Sequence, residues 1–192
     1  MDFNRILNGM IRAAKLDKNF YEEVEADTTY GQDALMVVIL AALANGVGSF
    51  FGGLLSGSGL LRSLGSLVMG IIIGVVGYYI WVFVAQYVGT RFFKGTGDFG
   101  EVQRAFGFAY APQVLNIFRF IPCLGAFVPL VTWLWSLATG FVAIRQSLDQ
   151  DDTNAALTML VAFLVVVVFT AVLGLIAGVM GLAGAALTGA FK

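Results

Sequence analysis

Two stretches of this sequence run for longer than a membrane is thick without a charged residue. Residues 34–61 contain 28 consecutive uncharged residues, and residues 155–191 contain 37. About 20 predominantly apolar residues are enough for an α-helix to cross the hydrocarbon core of a bilayer. This feature indicates a chain that crosses a membrane more than once.

The composition supports a polytopic membrane protein. Hydrophobic residues make up 59% of the 192 residues and charged residues 12%, whereas a soluble domain is about half apolar and about a quarter charged. The net charge of −1 offers no basic surface, so we expect no nucleic acid partner. The sequence has no histidine and one cysteine, so we expect no metal and no cofactor. We interpret Cys123 as a small buried hydrophobe.

Five segments are predicted to span. The predicted fold is all-α: a polytopic membrane helix bundle of five transmembrane helices in residues 33–192, preceded by an N-terminal amphipathic helix and an acidic segment in residues 1–32. The five predicted spans are residues 34–55, 67–88, 105–121, 127–144 and 157–179.

The N-terminal segment has an amphipathic half and an acidic half. Phe3, Ile6, Leu7 and Met10 follow the spacing of one helix face. Either this helix lies in the headgroup plane with its apolar face in lipid, or it packs on the cytoplasmic ends of the protein's own helices, and the two are compatible. We interpret the acidic residues of 17–33 as a solvated surface rather than a docking patch.

The third predicted span differs from the others because it is weakly apolar and only 17 residues long. Pro112 cannot donate a backbone hydrogen bond, and Tyr110 and Gln113 carry polar atoms that need partners within a bilayer. We therefore expect other helices, rather than lipid, to surround this segment.

Small and polar residues indicate where helices pack. Gly70 and Gly74 form a GxxxG pair, and Gly174 and Gly178 form a similar stripe in the last span. Small residues allow helix backbones to approach closely in lipid. For Asn45 we favour an interhelical hydrogen bond over a contact with a substrate.

No pattern of catalytic residues is found. The sequence lacks HExxH and Gly-x-Ser-x-Gly motifs, and we predict that the protein is not an enzyme. Asp149, Asp151 and Asp152 precede a predicted helix, where carboxylates are favoured as caps and by the helix dipole. We prefer this role to metal binding.

The distribution of lysine and arginine predicts the orientation. With five spans and a cytoplasmic N-terminus, eight of these residues face the cytoplasm and three lie outside, as the positive-inside rule favours. If residues 105–121 return without crossing, the ratio becomes nine to two. The three outside residues in the five-span arrangement are Arg62, Arg119 and Lys192.

Several motifs resemble the Yip-domain family of polytopic membrane proteins over most of residues 30–180. They are the stretch 105–112, which contains Tyr110 and Pro112, the Trp133 and Trp135 of the next span, the sequence 142–146 with Arg145, and the alanine-rich residues 155–157. The resemblance implies five spans, a cytoplasmic N-terminus and an external C-terminus. The Asp–Leu–Tyr–Gly–Pro motif of eukaryotic members is absent, which argues against small GTPase binding and favours a prokaryotic member in the cytoplasmic membrane.

Two functions are consistent with these features. The first is a non-enzymatic scaffold or adaptor in membrane organisation or trafficking, which contacts the lipid bilayer and associates through helices with itself or with other membrane proteins. The alternative is a small transporter or channel whose site lies at a broken helix around Tyr110 and Pro112.

Overall fold

The computed structural model describes the backbone of residues 2–187, and the surroundings of side chains as far as Val172 and at Leu175. This part of the chain forms helices joined by short turns and contains no strand, which confirms the predicted all-α bundle. The elements are α1 (Phe3–Ala14), α2 (Lys18–Ala26), α3 (Tyr30–Leu55), α4 (Leu60–Phe92), α5 (Phe99–Ala109), a 3₁₀-helix (Ala111–Phe120), α6 (Leu124–Ser147) and α7 (Asp152–Leu187).

Four of these helices are long and apolar enough to cross a membrane: α3, α4, α6 and residues 152–172 of α7. The prediction of five transmembrane helices differs from the structure at one segment. Residues 105–121 divide between α5 and the 3₁₀-helix, because Pro112 has no N–H to continue the α-helical bonding of α5. We call residues 99–120 the broken segment.

The broken segment runs along α3 from one end to the other. A side chain added at Gly107 would meet Ala34 at the start of α3, and one added at Gly52, near its end, would meet the Cα of Phe120 at 3.9 Å. A 3₁₀-helix rises about 2.0 Å per residue and an α-helix about 1.5 Å. The path from Gly107 to Phe120 is therefore about 24 Å long, close to the roughly 27 Å from Ala34 to Gly52.

The first two helices fold back onto one end of the bundle, and we call residues 3–26 the N-terminal cap. One face of α1 is buried against the bundle through Ile6, Gly9 and Ala13, whereas Phe3 and Leu7 are 66% and 45% exposed. The helix thus packs on the protein's own helices, as one of the two predicted arrangements required, and it also presents an apolar stripe outward.

The acidic segment contains a helix that the sequence analysis did not predict. Its apolar residues Phe20, Tyr21 and Val24 are fully buried under α2. The Phe20 ring lies edge-on to that of Phe108 in α5, with the ring centroids 5.0 Å apart, and Tyr30 of α3 completes the aromatic cluster. These large buried rings attach the cap to the start of α3 and to the broken segment.

Candidate functional site

The break at Pro112 leaves a backbone carbonyl that a distant residue satisfies. In a 3₁₀-helix the carbonyl of Ala109 accepts from the N–H of residue 112, which proline lacks. The Thr139 hydroxyl of α6 donates to this carbonyl at 2.8 Å, and the bond is buried. The next carbonyl, that of Tyr110, accepts from the N–H of Gln113 in the regular 3₁₀ pattern.

A second interhelical bond holds the 3₁₀-helix further along. The Thr132 hydroxyl donates to the Oδ1 atom of Asn116 at 2.9 Å, and both residues are buried. Thr132 and Thr139 lie two turns apart on α6 and face the same partner. The sequence analysis missed both threonines, although their spacing of seven residues in an otherwise apolar helix was a signal.

Polar side chains recur at every third position of the broken segment: Tyr110, Gln113, Asn116 and Arg119. In an α-helix such positions drift around the axis, whereas in a 3₁₀-helix they align on one face. Three of them line one cavity, and Asn116 turns towards α6. This period of three was a second unused signal, and it indicates the 3₁₀ geometry.

A cavity of about 270 Å³ lies between α3, α4 and the 3₁₀-helix, and we call it the Tyr110 crevice. It brings together five of the residues singled out in the sequence and adds others that were not. Its lining consists of Val38, Ala42, Asn45, Ser49, Gly70, Ile73, Gly74, Tyr110, Gln113 and Arg119.

Among the described residues, Asn45 does not form the predicted interhelical hydrogen bond. Its Nδ2 atom donates at 3.1 Å to the carbonyl of Ala41 in its own helix, and its side chain lines the crevice. Within the described residues, the side chains of Ser49, Tyr110 and Gln113 have no hydrogen-bond partner. The crevice is therefore lined by polar groups with free bonding capacity.

A smaller cavity of about 100 Å³ lies on the other side of the broken segment, bounded by Trp81, Trp133 and Ser136. Tyr110 and Gln113 line both cavities. These two side chains thus form the wall that separates the cavities, directly at the break in the helix.

The structure shows what the first predicted glycine pair packs against, but it does not describe the surroundings of the second pair. A Cβ atom on Gly74 would lie 3.0 Å from the Cβ of Ala42, and one on Gly70 would lie 3.7 Å from the Cα of Gly46. Both glycines therefore face α3 of the same chain. Gly174 and Gly178 lie outside the residues whose surroundings the structure describes.

Arg145 lies at the cap end of the bundle, away from the crevice. Its Nε atom pairs with Asp152 at 2.5 Å and joins the end of α6 to the start of α7. Asp151 accepts from the backbone N–H of Asn154 at 2.7 Å, which confirms the predicted cap. The interpretation of Cys123 as buried is wrong: the residue is exposed in the turn before α6.

Backbone and side-chain contacts fasten α2 to the bundle. Arg104 of α5 donates to the carbonyls of Val24, at 3.0 Å, and Glu25, and the Gln146 amide donates to Glu22 at 2.6 Å. Because both carbonyls belong to the last turn of α2, the arginine also serves as a cap for that helix end.

The carboxyl group of Glu25 lies half-buried in this contact. Burial is the main cause that raises its pKa to about 7, and the neighbouring Asp149, Glu101 and Glu22 raise it further, while Arg104 opposes them. The cap therefore contains one carboxyl group that changes charge near neutral pH.

Comparison with known families agrees with the resemblance seen in the sequence. A family model for the Yip1 domain matches residues 17–176. The match extends from the start of α2 into α7 and includes the broken segment and the crevice. No curated protein and no solved structure gives a significant match.

Proposed function

Because the chain belongs to the Yip1 domain family, and is thus an integral membrane protein with several apolar helices, we propose that it is a non-enzymatic scaffold or adaptor. In this role it holds other membrane proteins, or further copies of itself, through fixed surfaces and performs no reaction. The observation that carries the proposal is the attachment of the N-terminal cap.

The cap is held by specific contacts along its whole length. The indole N–H of Trp135 donates to the carbonyl of Ala14 at 2.8 Å, Arg5 pairs with the buried Asp33, and Arg104 fastens α2. A segment bound in this way presents a preformed surface, and a preformed surface loses less conformational entropy when it binds a partner.

The outward face of the cap is suited to contact with a membrane or a membrane protein. Phe3, Leu7 and Ile11 recur every fourth residue and are all exposed, so they form one apolar stripe along α1. Gly70 and Gly74 already pack within the chain. We therefore expect partners to bind other faces of the protein, and this stripe is the apolar face that the cap offers.

Photo-crosslinking from the stripe tests the scaffold. A photoreactive residue at Leu7 should give discrete protein adducts in native membranes, and Leu7→Glu should weaken the same association without unfolding the protein. Leu61, which is 85% exposed at the opposite end of the bundle, is the matched position and should give no such adduct. Adducts with lipid alone from position 7 would contradict the scaffold.

The second candidate function is a small transporter or channel, and the two cavities beside Tyr110 and Gln113 favour it. Its test is solute and ion flux into vesicles that contain the purified protein. The transporter is supported if flux exceeds that of protein-free vesicles and Gln113→Leu abolishes it. Equal flux with and without protein rejects this candidate.

We also propose that the N-terminus lies in the cytoplasm of a prokaryotic cell and that the C-terminus lies outside. The charge distribution supports this orientation, and the passage of the broken segment along the whole of α3 supports a fifth crossing. A reporter fused after Lys192, which lies outside the described residues, should be active only on the external side. Activity on the cytoplasmic side would reject the fifth crossing.

A further inference from the structure

We propose that the Tyr110 crevice binds an anionic phospholipid, with the phosphate group beside Arg119 and the ester groups beside Asn45 and Gln113. The proposal assigns a ligand to this cavity and does not depend on the scaffold role. It follows from the polar lining, from the charge of that lining, and from the order of the lining residues along α3.

The lining requires a polar occupant. The hydroxyl groups of Ser49 and Tyr110 and the amide of Gln113 have no hydrogen-bond partner among the described residues, and Asn45 uses one of its two amide hydrogens. A polar group without a partner in an apolar environment is strongly unfavourable. Water or a polar ligand must therefore complete these bonds.

The charge of the lining selects an anion. Arg119 is the cation of the crevice, and it forms no ion pair with any residue for which the structure describes the surroundings. None of the lining residues carries a carboxyl group. A guanidinium group binds the oxygens of a phosphate in a two-pronged geometry, and such charge-assisted bonds are about twice as strong as neutral ones.

A glycine of α3 lets the stem of this arginine pack against the helix. A Cβ atom on Gly48 would lie 2.7 Å from the Cγ and 3.1 Å from the Cδ of Arg119. The same Cβ would lie 2.3 Å from the backbone carbonyl oxygen of Asn116, so Gly48 leaves room both for the 3₁₀-helix backbone and for the stem of the arginine. Arg119 remains exposed, so its guanidinium group lies at the open end of the crevice, where a headgroup can reach it.

The order of the lining residues matches the order of groups in a phospholipid. Arg119 and Ser49 lie nearest the end of α3 that is opposite the cap, Asn45 lies one turn deeper, and Ala42 and Val38 lie deeper still. This sequence of cation, amide and apolar wall corresponds to phosphate, ester carbonyls and acyl chain. A soluble anion would leave the deeper groups unused.

The crevice is also accessible from the bilayer. Ile73 of α4 lines it and is 62% exposed on the outer surface of the bundle. An acyl chain can therefore leave the crevice past Ile73 while the polar part stays inside. The volume of about 270 Å³ is slightly below the usual range of ligand pockets, about 300–1,000 Å³, which suits part of a lipid rather than a whole one.

Native mass spectrometry of the purified full-length protein tests the proposal. The protein is exchanged into equal amounts of phosphatidylglycerol and phosphatidylcholine, and the retained lipid is counted. Both lipids carry the phosphate, but only phosphatidylcholine also brings a positively charged choline group close to Arg119. We therefore expect a preference for phosphatidylglycerol of about tenfold, which corresponds to about 1.4 kcal/mol. Arg119→Gln should remove most of this preference, and Arg119→Lys should restore part of it.

Matched variants separate the site from general surface charge. Arg62 is exposed at the same end of the bundle but does not line the crevice, so Arg62→Gln should keep the preference. Asn45→Leu should weaken the retention of both lipids because it removes the contact with the ester groups. Equal loss for Arg62→Gln and Arg119→Gln would reject the site.

Competition with glycerol phosphate identifies the source of the phosphate. A lipid site should keep its phosphatidylglycerol in a large excess of glycerol phosphate, because the esters and the acyl chain also contribute. Release of the lipid at a stoichiometric amount of glycerol phosphate would overturn the lipid assignment in favour of a soluble anion. Equal retention of phosphatidylcholine and phosphatidylglycerol by the wild type would overturn the whole proposal.

Discussion

Replacing Thr139 with valine removes the hydroxyl group that satisfies the Ala109 carbonyl, and it leaves the shape of the side chain almost unchanged. The bond is 2.8 Å long and both residues are buried. An orphaned buried carbonyl costs about 1–3 kcal/mol, although interhelical hydrogen bonds inside membranes contribute less, up to about 1.7 kcal/mol. We expect Thr139→Val to destabilise the fold by about 1–2 kcal/mol.

The cause can be isolated because the carbonyl is free only on account of Pro112. In a Pro112→Ala background the new N–H can donate to Ala109, so the hydroxyl of Thr139 becomes dispensable. We expect the effect of Thr139→Val to fall below about 0.5 kcal/mol there, which is a coupling of about 1 kcal/mol between the two positions.

Unfolding of the four proteins of this cycle in mixed detergent micelles, followed by circular dichroism, measures the coupling. Thr170→Val is the matched control, since the Thr170 hydroxyl bonds within its own helix on an exposed face and should change stability by less than about 0.5 kcal/mol. An equal loss from Thr139→Val in both backgrounds would refute the explanation of how the break is satisfied.

Two further predictions concern close packing and pH. Gly107→Ala should destabilise the fold by about 1–3 kcal/mol, because the new Cβ atom would lie 2.8 Å from that of Ala34. The control Gly77→Ala has open space around it and should stabilise α4 by up to about 1 kcal/mol. Thermal unfolding of both variants measures the two effects. The pKa of Glu25 is raised to about 7 in the folded protein, so the folded cap is more stable when this carboxyl group is neutral. That stability is present at low pH and is lost as the pH rises through 7. Hydrogen exchange of α2 should show a loss of about 1 kcal/mol after allowance for solvent screening, and Glu25→Gln should abolish it.

The spanning helices were predictable because a bilayer imposes a simple rule on length and polarity. The first predicted span, residues 34–55, differs from α3 only by a turn at its start. The prediction for residues 67–88 was too short, since α4 continues to Phe92 beyond the strictly apolar part. Hydropathy locates the part of a helix in lipid, whereas caps and turns determine where it ends.

Two of the failures share a different cause, because each depended on a contact that is distant in sequence. Pro112 was recognised, but the donor that compensates for it lies in α6 at Thr139. Gly70 and Gly74 were recognised as a packing face, but only the fold shows that their partner is α3 of the same chain. The helix α2 was missed because the acidic residues of 17–33 were interpreted as a solvated surface, and the apolar Phe20 among them was not recognised as part of a buried helix face.

The 3₁₀ geometry explains why so short a segment carries a cation at its end. If the residues from Gly107 to Phe120 were α-helical, they would cover about 20 Å instead of about 24 Å. Arg119 would then lie about 4 Å deeper, farther from the headgroups, where a charged side chain is costly. The same geometry aligns Arg119 with Gln113 and Tyr110 along the crevice. One proline therefore both extends the segment and orients its polar side chains, which is why we connect the break in the helix to ligand binding.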